Sequence, residues 1–120
     1  MKENIILIKS FDYALSVIEL SQELNLKKEF VLSKQLLRSG TSFGANVREA
    51  NNVSTKKDFI YKLTISQKEC DESLYWLELL YRSHYIKKAR YDQMRNLAEQ
   101  QLKILKSIII TARNNLNKHS

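Results

Sequence analysis

Apolar residues recur along the chain at intervals of three and four, a period typical of amphipathic helices. The pattern divides into four blocks, which predict helices at about residues 4–25, 28–52, 55–83 and 88–117. Short connections between long helices make neighbouring helices run antiparallel, and four rods with one apolar face each pack into a bundle. The sequence therefore predicts an all-α fold, an antiparallel up-and-down four-helix bundle, with residues 1–120 as a single domain.

Two of the predicted helices carry more apolar surface than a solitary bundle requires. One inward-facing stripe per helix is sufficient to form the core. The surplus has two interpretations, an interface between copies of the chain or a wide core stripe beside exposed leucines, which are ordinary on protein surfaces. We favour the interface and expect an oligomer. The first helix has a main stripe of Ile8, Phe11, Leu15 and Ile18 flanked by Leu7, Ala14, Ser21 and Leu24, and the last has a second stripe of Leu102, Ile109 and Leu116.

The middle of the second block, residues 39–45, is unusually rich in small side chains. Glycine costs about 1 kcal/mol relative to alanine in a helix, so the segment taken alone would suit a loop. However, Gly40, Gly44 and Val47 fall on one helical face, where small residues let a neighbouring backbone approach closely. We therefore predict a helix and a packing seam. The segment lacks the G-x-x-x-x-G-K-[ST] spacing of a phosphate loop, and no strand precedes it.

Composition supports the helical prediction. The chain of 120 residues is 43% hydrophobic, and it contains no proline and only two glycines. Sheet proteins rarely form their turns with so little of either residue, whereas long helices exclude both. The apolar run at residues 5–8 is too short for a signal peptide, and no run approaches the roughly 20 residues that span a bilayer. We expect a cytoplasmic protein with no membrane partner.

The formal net charge is +7, and the positive excess is largest toward the C-terminus. Residues 84–120 carry eight basic residues against only Asp92 and Glu99. A positive strip along a helix suits the phosphate backbone of RNA or DNA, which it would contact without reading the base sequence. A solvated helix face is the competing interpretation, and the sequence favours neither. The candidate nucleic-acid-binding residues are Lys87, Lys88, Arg90, Arg95, Lys103, Lys106 and Arg113.

No arrangement typical of an active site is present in the sequence. Cys70 is the only cysteine and lies on an apolar stripe, which indicates a buried side chain and not a nucleophile. Glu69 and Glu72 are three residues apart, but a di-metal site in a bundle needs Glu-x-x-His pairs, and neither His84 nor His119 completes one. We therefore predict a non-enzymatic protein without a metal or cofactor, whose two glutamates form salt bridges.

Two segments carry a family resemblance. Residues 35–50 read QLLRSGTSFGANVREA, and residues 68–77 read KECDESLYWL. Both resemble the four-helix-bundle family named after the 23S rRNA intervening-sequence protein, in which a small-residue run with a serine precedes an asparagine and then a glutamate. Ser42, Asn46 and Glu49 fit that pattern. The likeness spans nearly the whole chain in layout, although the most specific part is residues 38–80.

The resemblance implies an assembly and a set of polar positions. It implies a ring-like homopentamer, related to the basic accessory protein of diversity-generating retroelements, which is associated with nucleic acid and a reverse transcriptase. One departure is Ala50, where many members have glycine, and the second helix would then continue slightly further. By resemblance, the positions expected to form a structural polar network are Ser42, Asn46, Glu49, Glu69 and Glu72.

Two functional hypotheses follow. The first is a non-enzymatic homo-oligomer that binds structured RNA or DNA through its basic surface without strong sequence specificity. The second is a protein–protein scaffold or accessory subunit, with a partner protein and no nucleic-acid role. The location of the basic residues in the fold discriminates between the two, because salt bridges to Asp92 or Glu99 would weaken the first.

Overall fold

The computed structural model describes the backbone of residues 2–118 and the side chains of residues 4–118. Its four α-helices are α1 (Lys2–Leu26), α2 (Val31–Ala50), α3 (Lys56–Arg82) and α4 (Lys88–Lys118). Helix α1 packs against α2 and α4, and α3 packs against the same two helices. Helices α1 and α3 therefore lie diagonally across the core, as do α2 and α4. The bundle measures 52 × 21 × 20 Å, and the predicted antiparallel four-helix architecture is confirmed.

Helix α2 begins at Val31, three residues later than the sequence pattern predicts. The chain reverses direction at Lys28, which has a φ of 63° in the left-handed region. This conformation lets the backbone N–H of Glu29 donate to the carbonyl of Leu24 at 2.9 Å, which closes the end of α1. The buried Glu29 carboxylate then accepts a hydrogen bond from the N–H of Ser33 at 2.9 Å, near the start of α2. This turn therefore occupies residues 28–30, which the sequence pattern assigns to the start of the second helix.

The small-residue segment of α2 is a packing seam against α1, as predicted. A methyl group placed on Gly40 would lie 2.8 Å from both γ carbons of Val17. One placed on Gly44 would lie 3.1 Å from the carbonyl oxygen of Ser10. Both distances are shorter than ordinary carbon contacts, so the two helices approach as closely as they do because these positions lack side chains.

The predicted inward stripes of α3 and α4 form much of the core. Leu102 and Ile109, which the sequence pattern offers as surplus surface on α4, are also buried, so this part of the prediction is wrong. Their burial means that α4 uses a wide stripe inside its own bundle. The buried residues of the two helices include Leu63, Ser66, Cys70, Ser73, Leu77, Leu80, Met94, Ala98, Gln101, Leu105, Ile108 and Ala112.

Hydroxyl groups in the core hydrogen-bond across the bundle. The Tyr13 hydroxyl of α1 lies 2.9 Å from Oγ of Ser73 on the diagonal helix α3, and Ser73 donates to the carbonyl of Cys70. Ser66 Oγ of α3 donates to the carbonyl of Phe43 on α2 at 3.1 Å. Because buried hydroxyl groups are costly without partners, these bonds favour one register of the helices over others.

The main apolar stripe of α1 lies on the solvent side of the bundle. Ile8, Phe11, Leu15 and Ile18 are 64%, 50%, 51% and 37% exposed, and we call these four residues the α1 face. The opposite side of α1, which carries Ile6, Tyr13, Val17, Leu20 and Leu24, fills the core. Helix α1 is apolar on two sides, and its core side is the one with Ser10 and Val17 because those residues fit the glycines of α2. Surplus apolar surface therefore exists, on α1 instead of α4.

Candidate nucleic-acid interface

The first half of α4 carries basic residues that are paired with acids. Lys88 Nζ lies 2.7 Å from Asp92, and Arg95 Nε lies 3.7 Å from Glu99, each one helical turn away. Such pairs between exposed side chains contribute little to stability, but they neutralise the charge that a phosphate would meet. The guanidinium of Arg95 also lies 5.7 Å from the centre of the Tyr91 ring, which fixes it against the helix surface.

Arg90 is the most restrained base of this half. Its guanidinium lies 3.2 Å from the carboxylate of Glu23 and 3.8 Å from that of Glu19, both on α1. The side chain is only 28% exposed, and it ties the start of α4 to the last turns of α1. Arg90 therefore joins α4 to α1, whereas Lys88 and Arg95 pair within α4, and all three bases have acidic partners that would compete with a phosphate.

The second half of α4 carries basic residues and no acid beyond Glu99, which lies one turn before Lys103 and pairs with Arg95. Lys103, Lys106 and Arg113 are exposed, and within residues 4–118 none of them forms an ion pair. Glu99 is the last acid of the sequence, so the remainder of α4 carries positive charge alone. Lys106 and Arg113 are seven residues apart on one side of the helix, and Lys103 lies one turn from Lys106. This open half is where the structure leaves basic groups available to an anion.

Lys87 lies apart from the open half, at the other end of α4. It is exposed and lines a cavity of about 470 Å³ between the end of α1 and the start of α4. The floor of the cavity is apolar and includes Leu20, Leu24 and Ile86. Arg90 lines it too, but that residue is already paired with acids of α1. The sequence pattern gives no signal of this cavity, because residues distant along the chain form it.

The polar positions taken from the family resemblance form three separate contacts and not one network. Arg38 of α2 bonds to both Glu69 and Glu72 of α3, with Nη1 3.1 Å from Glu69. Glu49 reaches Lys62 of α3 at 3.1 Å. Asn46 does not cross to α3, and its amide donates to the carbonyl of Ser42 on its own helix at 2.8 Å. The interhelical pairs are architectural, since they join α2 to α3 along the outside of the bundle.

Cys70 is a buried core thiol, as the apolar stripe predicts. Its side chain has no measurable exposure, and Sγ lies 3.6 Å from the carbonyl oxygen of Ala98. Burial raises the pKa of the thiol to about 12, because a thiolate would lose its hydration, and the nearby carboxylate of Asp71 adds a smaller effect in the same direction. A thiol held in its protonated form is a poor nucleophile.

The raised thiol pKa predicts a loss of stability in alkali. An unfolded thiol ionises near pH 9, whereas the folded one keeps its proton to about pH 12, so unfolding releases a proton between these values. The free energy of unfolding should then fall with rising pH by about 1.4 kcal/mol per unit between these two values. Urea unfolding of the Cys70→Ala variant at pH 8 to 11 should give a flatter dependence than the wild type. Equal slopes in the two proteins would contradict this assignment.

The described part of the chain contains no cluster of three or more His, Cys, Asp or Glu side chains arranged to hold a metal ion. No helix within it is both long and apolar enough to cross a membrane. The fold and its surface thus define a class of protein, a helical bundle with an exposed apolar helix face and a separate patch of unpaired bases.

The chain belongs to the family described as 23S rRNA-intervening sequence protein, whose profile matches residues 2–107. It is also similar to a solved protein of unknown function from the S23 ribosomal protein family of Bacteroides thetaiotaomicron. The two chains are 48% identical, the match covers 91% of this chain and 98% of the other, and the TM-score is 0.89. No curated protein matches the chain. The resemblance carried by residues 35–50 is therefore confirmed at the level of the family.

Proposed function

We propose that this protein is a non-enzymatic, self-associating bundle that binds the phosphate backbone of structured RNA or DNA through the open half of α4. Lys103, Lys106 and Arg113 supply the contacts. Lys88, Arg90 and Arg95 do not, because their charges are met by acids of the bundle. The proposed setting is the cytoplasm, and the proposed assembly is a closed ring such as the pentamer that the family resemblance implies.

The observation that carries the nucleic-acid proposal is the uneven pairing of charges along one helix. The bases of the first half have acidic partners, so the second half presents the larger unneutralised positive charge to an anion. The open half extends over more than two turns, from Lys103 to Arg113, a rise of about 15 Å at 1.5 Å per residue. Phosphates along one strand are spaced closely enough for such a row to contact several of them.

Binding of this kind should weaken steeply with salt. Each phosphate contact releases condensed counterions, so three contacts per chain predict a slope of about −3 for log K against log salt concentration, and more for an assembly. Fluorescence anisotropy with a labelled RNA hairpin and a labelled DNA duplex, each titrated from 50 to 300 mM KCl, measures the slope. Similar affinities for unrelated sequences are expected. Failure to bind either probe at the lowest salt, or affinity that does not change with salt, would overturn the proposal.

A protein–protein scaffold is the second candidate, and the α1 face favours it. Those four side chains leave on the order of 400 Å² of apolar surface in water, which is in the range of the largest patches on ordinary monomers and about half of one partner's share of a standard interface. Sedimentation of the purified chain in the presence and absence of RNA separates the two candidates. A scaffold would assemble identically in both conditions and would leave the RNA unbound.

A further inference from the structure

The cavity between the end of α1 and the start of α4 has an apolar interior. Its floor consists of the buried residues Leu20, Leu24 and Ile86. Leu26 also lines it and is 86% exposed, the highest value among the large apolar side chains of the described residues. The volume of about 470 Å³ lies within the roughly 300–1,000 Å³ that is typical of small-molecule sites. The cavity is therefore large enough and apolar enough to hold a small organic ligand.

Two lysine side chains line the cavity without acidic partners. Lys27 Nζ donates a hydrogen bond to the backbone carbonyl of Tyr85 at 3.0 Å, which holds the ammonium group beside the cavity. An ammonium group has three N–H donors, so two of them are left for another acceptor. Lys87 is exposed, and neither lysine forms an ion pair within residues 4–118. The fold therefore places two positive groups at the edge of an apolar cavity.

The acids nearest the cavity do not balance its bases. Glu23 is the one acid among the lining residues, and its carboxylate lies 3.2 Å from the guanidinium of Arg90, which also reaches Glu19 at 3.8 Å. With the two lysines, three bases stand against two acids, and the excess is one positive charge. The Nε atom of Arg90 is also buried without a hydrogen-bond acceptor in the described part of the chain. A ligand with one negative charge would balance this excess.

Charges just outside the cavity leave this balance unchanged. Lys88 is paired with Asp92 at 2.7 Å. Lys28 and Glu29, a base and an acid, follow each other in the turn after α1. An apolar floor beneath a rim with one excess positive charge is complementary to an amphipathic anion, whose hydrocarbon part enters the cavity while its charged group stays at the edge.

We propose that the cavity binds a small aliphatic carboxylic acid in its ionised form, with the carboxylate on Lys27 and Lys87 and the hydrocarbon chain on the apolar floor. Exposed ion pairs contribute little, so the chain supplies most of the affinity, about fourfold for each methylene group that it buries. Lys87 lies 16 residues before Lys103, a rise of about 24 Å at 1.5 Å per residue. The site is therefore separate from the open half of α4 and independent of the proposed function.

Titration of the full chain with octanoate, followed by amide chemical shifts in NMR spectra, measures both the affinity and the location of binding. We expect a Kd of about 1 mM or tighter, with the largest shifts at residues that line the cavity. Hexanoate, which is two methylene groups shorter, should bind about fifteenfold more weakly. The matched ligands 1-octanol and octylammonium keep the chain and replace the negative charge. Octanol should bind about tenfold more weakly than octanoate, and octylammonium more weakly still.

The variant Lys27→Gln/Lys87→Gln should bind octanoate about tenfold more weakly than the wild type and octanol equally well, because it loses only the two ammonium groups. The matched control is Lys56→Gln/Lys57→Gln, which removes the same charge from exposed residues at the opposite end of the bundle and should keep wild-type affinity. Helicity and urea unfolding check that both variants are folded.

Three results would each overturn the proposal. The first is an octanoate affinity no higher than that of octanol, or no binding of octanoate at 10 mM. The second is a set of chemical shift changes outside the cavity, and the third is an equal loss of octanoate affinity in the cavity variant and its control. The first two are measured on the wild type, so they hold even if a variant does not fold.

Discussion

A Gly40→Leu substitution is expected to lower the free energy of unfolding by about 3 kcal/mol or more, a large part of the stability of a domain this size. A Cβ atom at this position would lie 2.8 Å from both γ carbons of Val17. Val17 is fully buried and β-branched, so it cannot rotate away without a poor rotamer. Helices α1 and α2 would have to separate, and the contact at Gly44 would be lost with them. Urea unfolding followed by circular dichroism measures the change.

The competing effect is helix propensity, since alanine or leucine in place of glycine within a helix gains up to about 1 kcal/mol. Ala45→Leu provides the control, because Ala45 is an exposed residue of the same helix and its substitution should change stability by less than about 0.5 kcal/mol. Gly40→Ala should fall between the two, with the overpacking cost exceeding the propensity gain. Wild-type stability in Gly40→Leu would mean that the seam is looser than the described contacts indicate.

The helices and their number follow from the sequence because the pattern and the packing agree. On α3, the buried row is the one that contains Cys70 and Leu77 at seven-residue spacing. Enough polar residues lie on the other side of the helix for the sequence to show which row faces the core. The glycine seam was predictable for a related reason. Small residues on one helical face have few explanations other than close packing, and Gly40 and Gly44 contact α1.

The orientation of α1 was not predictable from periodicity. Its two apolar rows give nearly the same signal, and the more hydrophobic row, with Phe11 and Leu15, is the one in solvent. The core side contains Ser10 and Tyr13, whose polar atoms make it look like the weaker candidate. Their hydroxyl groups are bonded inside the bundle, Tyr13 to Ser73 on a helix distant along the chain. Only the packed structure reveals these partners.

The candidate nucleic-acid interface was also only partly predictable from the sequence. Lys88–Asp92 and Arg95–Glu99 have the i,i+4 spacing of a salt bridge, but Glu99 and Lys103 have it too, so the spacing alone does not show which bases are paired. The pairing of Arg90 with Glu23 joins α4 to α1 and depends on the fold. The prediction treated seven bases as one strip because the excess charge of a segment does not show which of its charges have partners.

Neutralisation of the open half is expected to reduce nucleic-acid affinity by about a thousandfold at 50 mM salt, because each lost phosphate contact costs about tenfold under these conditions. The variant is Lys103→Gln/Lys106→Gln/Arg113→Gln, and the readout is anisotropy with the labelled RNA hairpin. The slope of log K against log salt concentration should fall by about three per chain. Helicity should not change, since all three residues are exposed and within residues 4–118 none forms an ion pair.

The matched control is Lys88→Gln/Arg90→Gln/Arg95→Gln, which removes the same three positive charges from the same helix. Both variants therefore lower the net charge of +7 by the same amount, and any effect of overall charge on binding is common to them. The control bases already have acidic partners, so their loss should change affinity by less than tenfold. Equal losses in the two variants would mean that the nucleic acid responds to total charge alone. A larger loss in the control would move the binding surface to the paired half of α4.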